Sequence, residues 1–342
     1  MDGAQLERTA KQLVAPAKGI LAADESMTTI ERRFGSVQIP VTVENRQAYR
    51  QMFFTAPQIE QFLSGVILHD ETIRQNAADG TSFPKLLQGR GILPGIKVDM
   101  GAHPLAGFPE EVVTEGLDGL RERLNEYRDS FGATFAKWRA VITIGPDRPT
   151  SFCMAANAHA LARYAAMCQE AGIVPIVEPE VVMDGDHTIE RCAEVSAQAL
   201  TCMYDQMREQ RVHLPGSLLK PNMIVSGKSC SVQADVKQVA EATVRILRDN
   251  VPPQVTGIVF LSGGQKPQPA TAHLHAINTL GPHPWQISFS YARALQEPAL
   301  DAWRGVAANV PEAQRLFQHR ARCNSAARDG RYSEAMESVA AA

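Results

Sequence analysis

The chain has 342 residues, 44% of them hydrophobic and 21% charged, the composition of an ordinary globular protein. That length suits one large α/β domain or two average ones. A formal net charge of −3 excludes a nucleic-acid binder held by a global positive field, but leaves room for a small anion held by a local cluster of cations.

The first residues, MDGAQLERTAKQLV, lack the apolar core of a secretory leader. No apolar run approaches the roughly 18 residues needed to span a membrane. The six cysteines form no CxxC pair, and several fall on apolar faces of apparent helices. Together these features predict a soluble cytoplasmic protein with reduced thiols and no membrane or nucleic-acid partner.

Eight short apolar runs follow one another along the chain, each closing on polar residues: 19–26, 64–72, 95–99, 133–144, 172–180, 216–225, 257–264 and 285–293. They are too short for comfortable helices and rich in Ile, Val, Leu and Phe, as expected of strands buried on both faces. Helical patterns lie between them. The first connection is long and holds a β-prone piece, SVQIPVTV, before the helical NRQAYRQMFF. In 110–132, Val113, Leu117, Leu120, Leu124 and Tyr127 form one helical stripe. Residues 157–171 are Ala-rich and meet Gly172, a plausible stop. Val236, Val239, Ala240, Thr243 and Leu247 line one side of a later helix. Strand and helix alternating eight times predict a single closed (β/α)8 barrel over 1–342, with an open doubly wound sheet as the alternative. The tail from about residue 325 is expected to be mobile.

Barrels of this kind gather their active sites at the carboxyl ends of the strands. Those ends carry Asp24, Glu25 and Ser26; Lys97 and Asp99; Lys137 and Arg139; Glu178 and Glu180; Lys220; Ser262, Gly263 and Gly264; Ser290 and Arg293. Unpaired charge is costly to bury, so such groups must pair, titrate or face a polar cavity. Lys220 lies between Leu218–Leu219 and Pro221. Desolvation and a second cation, here Lys137, both favour the free amine of a lysine, which can then attack a carbonyl. Glu178 and Glu180, two apart, point the same way and can move protons for a carbinolamine. Asp24 can take a hydroxyl proton to trigger carbon–carbon cleavage, with the iminium as electron sink and no metal required. The SGGQ loop and Arg293 suit one phosphate, and Lys97, Arg139, Ser26 and Thr29 a second. Two phosphate sites flanking a nucleophilic lysine imply a bis-phosphorylated sugar.

The strings GKGILAADES, GIKVD, FAKWR, GIVPIVEPE, LLKPNM, FLSGGQ and SFSYARAL run in order between Lys18 and Leu295. In these the chain resembles class I fructose-bisphosphate aldolases of the animal and plant type. The resemblance implies a (β/α)8 barrel, a Schiff base on Lys220, acid/base roles for Asp24, Lys137 and Glu178 with Glu180 in support, and no metal or cofactor. It implies phosphate ligands at Lys97, Arg139, Ser262, Gly263 and Arg293, with Ser26, Thr29 and Arg33 nearby, and a homotetrameric assembly. Two departures stand out: Ala292 replaces the usual glycine of SYGRAL, and the chain does not end in the family's terminal tyrosine. The first predicts a small local shift. The second predicts slower proton exchange on the enamine, or a substitute acid such as Glu178 or water.

Three other readings remain. A metal-dependent enzyme would draw on His273, His275 and the DGDH of 184–187, yet an HxH pair on a helix points apart, and DGDH reads as a loop capping the next helix. Another lysine aldolase would need only one phosphate site. A binding or scaffold protein would not need to keep every proposed catalytic residue.

Overall fold

A computed structural model describes residues 2–341, with side chains to residue 338. Its strands are β1 (Gly19–Ala23), β2 (Leu63–Leu68), β3 (Leu93–Lys97), β4 (Gly101–Pro104), β5 (Val112–Glu115), β6 (Phe135–Ile142), β7 (Val174–Val181), β8 (Leu218–Leu219), β9 (Gly257–Phe260) and β10 (Gln286–Tyr291). Eight of them close into a parallel barrel in the order β1-β10-β9-β8-β7-β6-β3-β2, with β1 pairing back onto β2. All eight apolar runs supply a barrel strand, so the fold is the predicted (β/α)8 barrel rather than an open sheet.

The run 216–225 yields only the two residues of β8. Pro221 has no N–H to continue the ladder, and the Asn222 side chain accepts the Val181 N–H at 3.0 Å in place of a backbone carbonyl. The stripe over 110–132 is also not one helix. Its first part is β5, which pairs antiparallel with β4, and the helix runs only Leu120–Phe131. Gly116 (φ +126°) and Gly119 (φ +64°) break the period between them. SVQIPVTV forms no strand: helices Met27–Ser36 and Val43–Phe54 flank it. Thr188, not the Asp or His of DGDH, caps the helix Ile189–Glu209. Val236, in the first turn of its helix, is 40% exposed, whereas Val239, Ala240, Thr243 and Leu247 are buried.

The barrel separates two apolar layers. Outward strand residues such as Ala136, Trp138 and Val177 pack under the helices. Inward residues Ile20, Ala22, Ile67, Phe135, Val174, Ile176, Leu218 and Val259 fill the barrel, joined by Leu6, Ala10, Leu13 and Val14 at the N-terminus. Space is tight: Gly95 pairs with Phe135, and a Cβ at Gly95 would collide with the Phe135 ring.

The helix Val310–Arg328 buries Ser325 and Arg328, and Glu337 pairs with Arg320 and accepts from the Tyr332 hydroxyl at 2.9 Å. Among the described residues no helix is long and apolar enough to cross a membrane, and all six cysteines are free thiols.

Candidate active site

The two-residue period of a strand carries the barrel interior directly into the site. On β6 the inward series is Phe135, Lys137, Arg139, the first apolar and the others lining a cleft. On β7 it is Val174, Ile176, Glu178, Glu180. Ile20 and Ala22 on β1 lead to Asp24 just past its end, and Leu218 on β8 leads to Lys220 just past its end. In these four series the inward face is therefore apolar toward the amino end and charged toward the carboxyl end.

The cleft has a volume of about 520 Å³ and takes in all fourteen predicted site residues. Its lining carries eight cationic side chains and five carboxylates, although the whole chain carries a net −3. The positive potential is local, as an anionic ligand requires.

At the floor four buried groups interlock. Lys137 Nζ lies 2.7 Å from Asp24 Oδ2 and 3.2 Å from Glu178 Oε2. Lys220 Nζ lies 3.2 Å from Glu178 Oε1. Two ammonium positions thus share two carboxylates, which offsets the cost of taking charge from water. The sharing is unequal, because Lys137 contacts both carboxylates and Lys220 only one. Burial opposes the charge on Lys137, but Asp24 and then Glu178 outweigh it and hold the ammonium well above the usual lysine range. Burial likewise opposes ionisation of Asp24, but Lys137 and then Lys220 keep its carboxyl below the usual range. Lys137 is therefore a fixed cation, whereas Lys220 contacts a single carboxylate.

Around this floor the polar groups divide by their partners. Arg139 pairs with Glu180. Lys97 pairs with Asp99 at 2.7 Å. Ser26 caps the helix Met27–Ser36, and its hydroxyl lies 3.2 Å from that of Thr29. Arg33 lines the cleft, but its guanidinium is engaged by Glu25 and by Gln296. Glu25, buried, also holds Arg50 at 2.5 Å. This clamp makes Arg33 less available to a ligand than the sequence suggests. The Ser290 hydroxyl is buried, lines the cleft and has no hydrogen-bond partner among the described residues. Arg293 opens the helix Arg293–Trp303, and its guanidinium reaches back over Gly264 (φ +93°). Ala292 has φ −100°, outside the left-handed region that favours glycine.

Arg32, Asp184 and Lys228 also line the cleft and were missed from the sequence. Lys228 lies past the end of the run 216–225, where strand logic gives no position; the lysine between Gly227 and Ser229 was the only signal. The histidines of the metal reading do not converge. His273 is hydrogen-bonded to Gln265 at 2.6 Å, and burial pushes its pKa down to about 4, whereas His275 packs against Tyr332. Among the described residues, grouped metal-ligating side chains occur instead at His319, Cys323 and Glu337, where Arg320 already pairs with the carboxylate.

Comparison with known proteins places the chain in a family. The family model for class-I fructose-bisphosphate aldolase matches residues 5–342. A Xanthomonas campestris pv. campestris protein named as a probable class 1 fructose-bisphosphate aldolase is 54% identical over 329 residues, spanning 96% of this chain and 98% of its own length. The fructose-bisphosphate aldolase of Dictyostelium discoideum is 48% identical, spanning 96% of this chain and 93% of its own length. Among solved structures, Plasmodium falciparum fructose-bisphosphate aldolase, crystallised with TRAP and a small-molecule inhibitor, superposes with a TM-score of 0.95 at 45% identity, over 97% of this chain and 96% of its own. The chain belongs to the class I fructose-bisphosphate aldolase family.

Proposed function

We propose that the chain catalyses reversible aldol cleavage of fructose 1,6-bisphosphate to dihydroxyacetone phosphate and glyceraldehyde 3-phosphate, a lyase reaction of glycolysis and gluconeogenesis. The carrying observation is the buried Asp24–Lys137–Glu178–Lys220 chain of contacts at the floor of a cation-rich cleft. Lys220 Nζ attacks the C2 carbonyl of the open-chain sugar. The Glu178 carboxylate, in contact with Lys220, takes the proton that this amine sheds on addition and passes it to the carbinolamine oxygen, which departs as water. The resulting iminium withdraws electrons from C3. Asp24, held ionised by Lys137, takes the proton of the C4 hydroxyl; the C3–C4 bond breaks, and its electron pair passes into the iminium as an enamine. Asp24 returns its proton to solvent, water delivers one to C3, and attack of water on the re-formed iminium releases the ketone and returns the free lysine. Glu180 supports the site by fixing Arg139.

The phosphate next to C2 belongs at Ser262, Gly263, Ser290 and Arg293. The distant one belongs at Lys97, Arg139, Ser26 and Thr29, with Arg33 behind them. No metal or cofactor enters this scheme. Family resemblance adds a homotetramer and a cytoplasmic location.

Borohydride reduction in the presence of fructose 1,6-bisphosphate, followed by mass mapping, tests the nucleophile. A stable adduct is expected on Lys220 and none in Lys220→Met. An adduct on Lys137 would reverse the two lysines' roles, and activity that disappears in EDTA and returns with zinc would overturn the Schiff-base scheme.

A further inference from the structure

Lys228 has no part in the scheme above, yet it stands on the rim of the same cleft. Its position is built by the backbone. Three hydrogen bonds fasten residues 227–229 to the loop after β7: Gly227 N–H to the His187 carbonyl (2.8 Å), Lys228 N–H to the Met183 carbonyl (2.8 Å) and Ser229 N–H to the Gly185 carbonyl (2.9 Å). Only a glycine permits this approach, because a Cβ at Gly227 would run into the Gly185 backbone. The fastening sends the Lys228 side chain over the Gly263–Gly264 turn. A Cβ built on Gly264 would lie 2.8 Å from an Arg293 guanidinium nitrogen and 3.2 Å from Lys228 Nζ. Two cations from different elements thus close on one point above the glycine pair. Among the described residues only Asp184 pairs with Lys228, at 2.6 Å, and the two side chains are 45% and 70% exposed. An exposed pair of this kind is held weakly.

We propose that Lys228 is a specificity-determining residue that grips the C1 phosphate of the substrate opposite Arg293. The assignment to C1 rests on the Schiff-base reading above, in which C2 is bonded to Lys220. The Leu261 N–H donates to the Pro221 carbonyl at 3.1 Å, which ties the start of the Ser262–Gly264 loop to the residue beside Lys220. A phosphate bonded one carbon from C2 reaches this loop, and one four carbons away points across the barrel toward Lys97. A phosphate monoester carries nearly two charges and three acceptor oxygens at neutral pH, so it outcompetes the single exposed carboxylate of Asp184 for the ammonium.

Condensation kinetics test the assignment. In Lys228→Met the KM for dihydroxyacetone phosphate should rise about tenfold, while the KM for glyceraldehyde 3-phosphate moves less than twofold. In cleavage, kcat/KM should fall by a similar factor for fructose 1,6-bisphosphate and fructose 1-phosphate. Lys228→Arg should recover most of the loss, since it restores the charge. An unchanged KM for dihydroxyacetone phosphate would overturn the proposal. So would a loss confined to the bisphosphate, which would put Lys228 at the other phosphate, or an arginine variant as poor as the methionine one. Borohydride trapping on wild-type Lys220 is a separate readout: its failure would sink the covalent reading, whereas the KM ratio reports the phosphate contact alone.

Discussion

Asp24 shows how a single side chain can serve both stability and chemistry. It is buried, ionised and tied to Lys137 at 2.7 Å. Its carboxyl is held below the usual range, so its stabilising contribution is present above the unfolded-state value of about 3.9 and is lost as pH falls through the lower folded value. Asp24→Asn should therefore cost about 3 kcal/mol at neutral pH, the lower end for breaking a buried pair, because Glu178 still partners Lys137. Urea unfolding of both proteins should give a constant gap between pH 7 and pH 5 that narrows only below about pH 4. A gap that closes by pH 5 would show that another group governs it. The variant should also form the Lys220 adduct yet cleave slowly, since only the hydroxyl proton acceptor is gone. At this scale much was legible. A charged residue at the end of an apolar run is visible in one dimension; what was not visible is that Arg33 spends its guanidinium on Glu25 and Gln296. Nor did anything in the local pattern place Lys228 beside Arg293.

Elements locate these residues through the strand period, and the period works only while the inward face is correctly filled. Phe135 sits one inward position below Lys137 and occupies space that Gly95 leaves. Gly95→Ala should push the ring off its site and cost about 1–3 kcal/mol in urea unfolding. Adding Phe135→Leu should recover part of that loss rather than add to it, because the two changes relieve one collision. Strictly additive losses would show that the two residues do not share the space. Strand identity was readable from short, doubly buried apolar runs. The β4–β5 hairpin was not, because its apolar residues continue the spacing of the following helix and only Gly116 and Gly119 mark the break.

The whole molecule converts order along the chain into convergence. Closure of the sheet sets Asp24 beside Lys137 and Glu178 beside Lys220, although they come from four strand ends distributed through the chain. Assembly belongs to the same scale: sedimentation equilibrium at micromolar concentration should give four chains per particle, and a monomer would overturn the homotetramer. The sequence by itself determined the eight strands, the face each turns inward and the set of charged ends, because period and burial are local properties of the chain. Only the tertiary structure decided which lysine is held as a fixed cation and which faces a single shared carboxylate. That distinction depends on distances between strands, and those follow from barrel closure and register rather than from any one segment.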